Sequence, residues 1–430
     1  MISLGDTIVA LSSGQPPAAV AVIRTSGPHA FAAAEALGGP LPPPRHAALR
    51  SLHDPATGAL LDQLLVLRFA LPASATGEDV VEYQCHGGRA VVRSILDALA
   101  ARPGMRAAEP GEFTRRAFRN GRIDLTEAEG LADLLEAETE SQRRAALLRA
   151  DGGLRRLVEG WRDRVVTLSA RAEAAIDFVD DENETATDTS ALVAESRALA
   201  DEFASWLDRP RAELLKHGIR IVAAGPPNVG KSSLINALSH SERAIVTDIP
   251  GTTRDVIEIP LAIGGVPFVL VDTAGLRDSV DPVERIGVER AGSEVARADI
   301  LLWLGEPADA PDHRQMLLLH PRADVPGREY PPEGALAVSA VTRMGLDPLT
   351  KDLLDLAGAI LPGDGELALN LRQATEISVA FAALSEVRSD DVVIVADSLR
   401  RAREALDRIT GRAGIDHMLD ALFGRFCLGK

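Results

Sequence analysis

The segment Gly225-Pro226-Pro227-Asn228-Val229-Gly230-Lys231-Ser232 places two glycines, a lysine and a hydroxyl at the spacing G-x-x-x-x-G-K-S. That set of residue types is suited to gripping phosphate. Glycine lets the backbone wrap an anion, and successive N–H groups, with the N-terminus of a following helix, supply partial positive charge. Lys231 would reach the outer phosphates, where it also serves catalysis, and the Ser232 hydroxyl would ligate Mg²⁺. The context agrees: Ile219–Ala224 is a β-rich run, and Ser233–Leu238 reads as the helix that follows. The competing reading, a tight strand-to-helix turn with no ligand, is weak. Residue frequencies produce such a match by chance in a chain this long only about one or two times in a hundred.

Further along, Val269-Leu-Val-Asp272-Thr273-Ala274-Gly275 is an apolar strand ending in D-x-x-G. Asp272 would hold Mg²⁺ through water, and the Gly275 amide would sense a terminal phosphate. Between the two motifs lies the polar loop Thr247-Asp248-Ile249-Pro250-Gly251-Thr252-Thr253-Arg254-Asp255, whose threonines, Thr253 among them, can complete the Mg²⁺ shell. A switch that collapses when a γ-phosphate is hydrolysed needs these elements in this order. Base choice rests on weaker residues. Met316–Leu319 reads as a strand, followed by His320-Pro321-Arg322-Ala323-Asp324. Asp324 can accept from guanine N1 and N2, and Arg322 can cover the ring. Pro321 stands where an asparagine is expected and offers no side-chain hydrogen bond. Ser339-Ala340 fits a later backbone loop that contacts the base. GTP is favoured, with ATP the weaker possibility. Leu276 follows D-x-x-G where many GTPases place the glutamine that orients water. Glu284 is the candidate replacement; its plainer reading is an exposed helix carboxylate.

Three textures position these residues. Residues 1 to about 118 mix short apolar runs with turns: Thr7–Leu11, Ala18–Arg24, Leu64–Phe69 and Val80–Gln84, with Val91–Ala101 as a helix and Pro40–Pro44 as a loop. This is an α+β domain. From about Leu125 to Phe178, Ala, Leu, Glu and Arg recur at helical spacing, and Thr126 with Glu129 forms a capping-box pattern. A second helical run is expected over Ala191–Lys216, with the acidic stretch Asp177–Asp188 as the turn between. From Ile219 to about Leu361 strands and helices alternate, although Gly305–Arg314 is short for a full helix. After Pro362-Gly363 helical composition returns. The chain therefore reads as a multidomain α+β and α/β protein: an N-terminal domain over 1–118, a helical domain split into 119–216 and 364–430, and an inserted P-loop domain over 217–363.

Composition bounds the partners. With 46% hydrophobic and 25% charged residues in 430, the chain has the balance of a globular protein of two or three domains. No apolar run approaches the roughly 20 residues of a membrane span, and the N-terminus lacks a secretory pattern. No membrane association and a cytoplasmic location are expected. The two cysteines, Cys85 and Cys427, are too few for a disulfide framework. A net charge of −17 and 3% aromatics argue against broad capture of nucleic acid, although Arg115, Arg116, Arg119 and Arg122 could form a local basic patch.

Several blocks together resemble the tRNA-modification GTPase MnmE (TrmE) family. They are Asp6-Thr-Ile-Val-Ala10, Val22-Ile-Arg24-Thr-Ser-Gly27, Thr76-Gly-Glu-Asp-Val-Val-Glu82-Tyr-Gln-Cys-His86-Gly-Gly88, Pro110-Gly-Glu-Phe-Thr114, Asn120-Gly-Arg122-Ile-Asp124, Ile176-Asp-Phe178, Gly251-Thr-Thr-Arg-Asp255, Asp272-Thr-Ala-Gly-Leu-Arg277 and the terminal Cys427-Leu-Gly-Lys430. The resemblance covers nearly the whole chain. It implies an N-terminal tetrahydrofolate-binding domain that also mediates a homodimer. Arg24, Glu82, Arg122 and Lys430 would contact 5-formyl- or 5,10-methylene-tetrahydrofolate. Taken alone, Arg24 and Glu82 would be ordinary surface or strand-end charges. The family usually has lysine at the Arg122 position, which keeps charge and changes geometry.

The resemblance further implies that K⁺ replaces an arginine finger, held by Asn228, Thr247, Ile249 and Thr252, and that Glu284 orients the water indirectly. It implies a heterotetramer with an MnmG-type FAD protein, acting on carbon 5 of the wobble uridine of certain tRNAs. Cys427 is read as lining the site and Cys85 as packing. Ser12-Ser-Gly-Gln-Pro16 departs from the family's T-P-x-G-x-G turn. Three other readings compete. A ribosome-assembly GTPase would leave residues 1–118 and the last four unexplained. A folate-dependent one-carbon transferase overlaps with the first reading. A non-catalytic nucleotide-dependent scaffold conflicts with Lys231, Ser232, Asp272 and Glu284.

Overall fold

The computed structural model describes residues 5–177, 189–240, 244–246, 257–272, 292–387, 391–413, 422–424, 426 and 429. The chain divides into two compact units: residues up to Ala132 with those from Asp407 onward, and Asp133–Leu406.

The first unit is built on a six-stranded sheet. Its strands are β1 (Thr7–Leu11), β2 (Val20–Ser26), β3 (Ala48–His53), β4 (Leu60–Phe69), β5 (Val80–His86) and β6 (Met105–Ala107), in the order β3-β4-β5-β2-β1-β6. Neighbours are antiparallel except β1 and β6, which run parallel. Period-two alternation assigns the faces. Ala21, Ile23, Val81, Tyr83 and Cys85 are buried with apolar residues of α1 (Ala30–Gly38) and α2 (Arg89–Ala100). Within α2 it is Val92, Ile95 and Leu99, at helical spacing, that are buried. The Cys85 thiol is 2% exposed and faces the Ala21 carbonyl at 3.5 Å. Arg24 and Glu82 alternate with these core residues and stand directly opposite one another on β2 and β5.

Helices α3 (Glu112–Arg119) and α4 (Leu125–Glu136) follow. The cap of α4 differs from the sequence expectation. Asp124, not Thr126, accepts the Glu127 N–H at 2.8 Å, and the Glu127 carboxylate accepts the Asp124 N–H at 2.7 Å. Thr126 serves that cap by donating to Asp124 Oδ1 at 2.8 Å. Leu125, Ala128 and Ala132 bury against Phe423 and Phe426, so the chain's last segment packs in this unit.

The second unit combines helices with a seven-stranded sheet. Its helices include α5 (Glu140–Ala150), α6 (Gly153–Asp177), α7 (Thr189–Leu207) and α8 (Glu213–His217). The expected single run Ala191–Lys216 is therefore two helices. Pro210 lies between them, where its missing N–H and its ring clash stop a helix. The expected turn beyond Asp177 lies outside the described residues. Trp161 of α6 meets Phe203 and Trp206 of α7 edge-on at 5.1 and 5.6 Å, and its indole donates to Glu202 at 2.6 Å.

The sheet contains β7 (Ile219–Ala224), β8 (Ala244–Val246), β9 (Ile257–Ile263), β10 (Val266–Asp272), β11 (Ile300–Trp303), β12 (Met316–Pro321) and β13 (Leu336–Val338), ordered β13-β12-β11-β7-β10-β9-β8. The five strands from β13 to β10 are parallel, and β9 and β8 extend the sheet antiparallel. Strands of a parallel sheet covered on both faces read as continuous apolar runs, as Ile219, Ile221, Val222 and Ala223 do. Helices α9 (Lys231–Ser239) and α10 (Leu346–Ile360) contribute Leu234, Ile235, Leu349 and Leu353 to one core. Between β11 and β12 only a 3₁₀ turn forms, Pro307–Asp309, in keeping with that segment's length. Helices α11 (Leu371–Ser385) and α12 (Val392–Thr410), the latter up to Leu406, complete the unit's described elements.

Candidate functional site

In the second sheet, β7 lies between β10 and β11, so the chain departs from it in both directions. Such a switch point leaves a crevice at the carboxyl ends of the strands, where open α/β sheets bind ligands. The loop Gly225–Gly230 leaves β7 there and enters α9. Positive φ values at Gly225 (143°), Asn228 (56°) and Gly230 (112°) turn it back on itself. A side chain at Gly225 would also be crowded, since a Cβ would lie 3.1 Å from the Leu304 backbone. Val229 anchors the loop against the sheet core. The Lys231 side chain is buried beneath it, and its ammonium donates to the carbonyls of Gly225 at 3.0 Å and Pro226 at 2.7 Å. Ser232 and Ser233 are exposed on the first turn of α9.

Asp272 ends β10 in register with Ala223, so it stands one strand over from the root of the loop, and it is buried. Arg322 follows β12 with φ 58°, and its Nε lies 3.9 Å from where a Cβ on Gly230 would be. Pro321 is the last residue of β12, buried and paired with Val338, so it serves the sheet rather than a ligand. Asp324 is exposed beyond it. After β13, the fully buried Ser339 accepts the N–H groups of Val341 at 3.2 Å and Thr342 at 3.0 Å. That closes a turn at Ala340.

The fold therefore gathers Asn228, Val229, Gly230, Lys231, Ser232, Ser233, Asp272, Asp324, Ser339 and Ala340 at one pole of the sheet. The other residues expected here, Thr247–Thr253, Thr273–Gly275 and Glu284, lie outside the described residues. The donor set fits Mg²⁺. A hydroxyl and a carboxylate are hard oxygen ligands, and a cation that keeps its waters needs only one or two from the protein.

The N-terminal unit holds a second candidate. Arg24 donates through Nε and Nη2 to Oε1 of Glu82, at 3.0 and 2.8 Å, and its guanidinium lies 5.7 Å from the centre of the Phe113 ring. Both bonds use one oxygen of Glu82. A cavity of ≈ 290 Å³ has Glu82 and Arg122 in its wall together with Arg45, Phe69, Ser74 and Val80. Sequence reading missed Arg45, Phe69 and Ser74. Nothing in their local pattern marks them, and only the sheet and the loop after β4 bring them together.

The loop Ser74–Asp79 is tied down from several sides. Ser26 meets Thr76 at 2.7 Å and donates to Glu78 at 2.6 Å, while Asn120 donates to the Thr76 carbonyl at 2.7 Å. Gly77, at φ 77°, admits Arg122 closely: a Cβ there would lie 3.2 Å from Arg122 Cγ. Behind the loop is a largely buried ionic cluster. Arg116 pairs with Asp6, Glu78 and Glu112, and Arg106 with Asp6 and Glu112. Burial pushes the Glu112 carboxyl up, but Arg106, the Glu109 N–H and Arg116 outweigh it and hold it below the ordinary value. Asp6 is likewise held low, burial being outweighed by Arg106 and Arg116.

The C-terminus joins this unit at β1. Ser12 donates to the Gly429 carbonyl at 2.9 Å, and a Cβ on Gly429 would lie 1.9 Å from the Leu11 carbonyl. Ala10 of β1 pairs with Arg24. Cys427 and Lys430 lie outside the described residues. A larger cavity of ≈ 660 Å³, lined in part by Arg209, Asp299 and Arg314, opens where β11 and β12 begin, at the pole away from the phosphate loop.

The family model for the GTP-binding protein TrmE N-terminus matches residues 7–122, and that for the MnmE helical domain matches residues 125–427. A tRNA modification GTPase MnmE of Erythrobacter litoralis is 53% identical over 427 residues, covering 99% of this chain and 100% of that protein. This chain belongs to the MnmE family. Proteins of the same description in Rhizorhabdus wittichii (52% identical, covering 100% of this chain and 97% of the relative) and Novosphingobium aromaticivorans (50%, covering 99% and 100%) extend the match. Among solved structures, the G domain of the T. maritima FeoB iron transporter is 22% identical and covers 32% of this chain and 98% of that one, with a TM-score of 0.24. The MnmE family's N-terminal match ends at Arg122, the last of the cavity-lining residues along the chain.

Proposed function

We propose that this chain hydrolyses GTP to time a tRNA modification. With an FAD-containing MnmG-type partner it would alter carbon 5 of the wobble uridine of certain tRNAs, using a one-carbon unit carried on tetrahydrofolate. The observation that carries the GTPase half is the placement of the Gly225–Ser232 loop and Asp272 on adjacent parallel strands at the switch point of the sheet. Family membership supplies the tRNA half. The division into 1–118, 119–216, 217–363 and 364–430 is the domain arrangement we assign to these roles, in a homodimeric protein.

The N–H groups from Asn228 to Ser233 bind the phosphates. Lys231 exchanges the Gly225 and Pro226 carbonyls for phosphate oxygens, so its charge is already desolvated and aimed before nucleotide arrives. Ser232, Thr253 and, through water, Asp272 would hold Mg²⁺, which supplies positive charge opposite the transferring phosphoryl group. Asn228, Thr247, Ile249 and Thr252 would hold K⁺ in the place of an arginine finger. Glu284 orients the water that Leu276 cannot. Asp248, Pro250, Gly251, Thr273, Ala274 and Gly275 complete the nucleotide contacts. Asp324 accepts from the guanine edge, with Ser339 and Ala340 closing over the base. In the N-terminal unit, Oε2 of Glu82 accepts from the amino-pyrimidinone edge of the folate while Oε1 holds Arg24, and Arg122 and Lys430 supply positive charge.

The test is hydrolysis of GTP and ATP in KCl and in NaCl, with Lys231→Ala and Glu284→Ala alongside. Turnover of GTP in KCl should exceed every other combination. Each variant should lose at least about a hundred-fold, the usual loss when a group stabilising the transition state is removed. Equal rates in the two salts, or equal rates with ATP, would remove the K⁺ or guanine assignment respectively. Titration of 5-formyl-tetrahydrofolate into wild type and Glu82→Gln tests the second site.

A further inference from the structure

Arg45 is an arginine in an uncommon backbone conformation, at φ 62°, where a non-glycine residue is strained. The strain places its guanidinium against the cavity described above. Its Nη2 donates to the Ala73 carbonyl at 2.6 Å, and its charge lies 5.6 Å from the centre of the Phe69 ring. Its backbone N–H is also fixed, to the Arg68 carbonyl at 2.9 Å. Among the described residues no carboxylate pairs with it. Among the described residues the wall of the cavity is thus asymmetric: Glu82 is the one anionic side chain, Phe69 and Val80 are apolar, and Arg45 and Arg122 are cationic. Glu82 and Val80 share one face of β5, Val80 is paired with Phe69 on β4, and Arg45 lies over the Phe69 ring, so the order is anion, apolar pair, cation. A ligand that presents N–H donors at one end, an apolar ring in the middle and a negative charge at the other matches it.

We infer that Arg45 is the specificity-determining residue that reads the carboxylate tail of the folate, a role that rests on the folate reading given above. A guanidinium held by a carbonyl and a ring face has spent one N–H and kept the rest of its fork. The fork is pre-aligned for the planar carboxylate it would accept, so little ordering is lost on binding. Arg122, whose stem packs on Gly77, is the second cation of the wall and is the control for that role.

The experiment compares 5-formyl-tetrahydrofolate with its dimethyl ester, which keeps every ring and formyl atom and turns the two carboxylates into neutral methyl esters. Binding of each to the full chain is measured by calorimetry, for wild type, Arg45→Gln, Arg45→Lys and Arg122→Gln. Wild type should prefer the free acid by about ten-fold, the scale of one charge-assisted hydrogen bond at a partly exposed site. Arg45→Gln should abolish that preference without changing affinity for the ester, Arg45→Lys should restore part of it, and Arg122→Gln should keep it. An Arg45→Gln variant that still prefers the acid would overturn the assignment, and so would equal losses for acid and ester, which mark a merely structural role. Loss of the preference in Arg122→Gln alone would move the role to that residue. Wild type that binds neither compound would refute the folate reading itself, and the assignment with it.

Discussion

The buried carboxylate Glu112 offers the sharpest test of how the N-terminal site is held. It is 1% exposed and accepts four hydrogen bonds: two from Arg106, at 2.8 and 2.5 Å, one from Arg116 at 3.0 Å, and the Glu109 N–H at 2.9 Å. Glu112→Gln keeps the shape and removes the charge. The new amide turns an N–H toward a guanidinium, so at least one donor pair faces another donor, and two arginines lose a shared counter-charge. Breaking a buried ion pair from one side costs about 3–5 kcal/mol. Arg106 is about one-third exposed and recovers some hydration, so about 3 kcal/mol is the reasonable figure. For a unit of this size that lowers its melting temperature by roughly 6–12 °C. Calorimetry reads the shift. Trp161, Trp206 and Trp303 all lie in the other unit, so the midpoint followed by tryptophan fluorescence should not move with it. A calorimetric shift under about 2 °C, less than the effect of 1 kcal/mol, would refute the reasoning. So would a fluorescence midpoint that moves equally.

The same cluster sets an acid limit. Glu112 and Asp6 have folded values held below 4.5 and 3.8, so their stabilisation is fully present above those ordinary values and is lost as pH falls through the lower folded ones. Melting of wild type should therefore fall more steeply below pH 4 than that of Glu112→Gln; parallel curves would show that the carboxylate contributes nothing through its charge. Gly429→Ala would force a Cβ to within 1.9 Å of the Leu11 carbonyl at φ 92°, so it should detach the C-terminal residues from β1. Folate affinity should drop by about ten-fold or more while GTP turnover is unchanged, which paired binding and rate measurements check. On the proposed base contact, Asp324→Asn puts a donor in place of one of the carboxylate oxygens that would accept from guanine N1. It should cost GTP affinity about ten- to hundred-fold, measured by competition with GDP, and leave phosphate binding intact. Gln142→Ala removes the side-chain bonds to the Leu215 and Lys216 carbonyls and half of the Thr139 capping box, and should destabilise the second unit by about 2 kcal/mol in tryptophan-monitored unfolding.

Much of this was readable from residue order because the signals were local. Ile219–Ala224 is a strand over the very residues that its apolar run marked, and the loop, helix and D-x-x-G strand follow as phosphate binding requires. The misread features have two sources. Asp124-x-x-Glu127 and Thr126-x-x-Glu129 are the same pattern two residues apart, and local chemistry does not choose between them. Burying Leu125 on the first turn of α4 does. Pro210 was present in the sequence, but the helical composition on either side of it disguised the break. The N-terminal cavity was less legible for a different reason. Arg24 and Glu82 are 58 positions apart and meet only through the pairing of β2 with β5, while Phe69 ends β4 and Arg45 comes from the turn before β3. Registers between distant strands have no counterpart in short-range spacing.

The sequestered thiol on β5 gives the protein an internal clock. Cys85 sits in the middle of the N-terminal core, and burial, with the charge of Asp62 adding to it, makes it a weaker acid, its pKa pushed up to about 11. A thiol both covered and protonated at neutral pH reacts with an alkylating probe only when the sheet opens. Its labelling rate in the intact chain, read at the peptide that carries Cys85 so that Cys427 is not counted, would therefore count openings of the N-terminal core, under conditions where the protein is still turning over GTP.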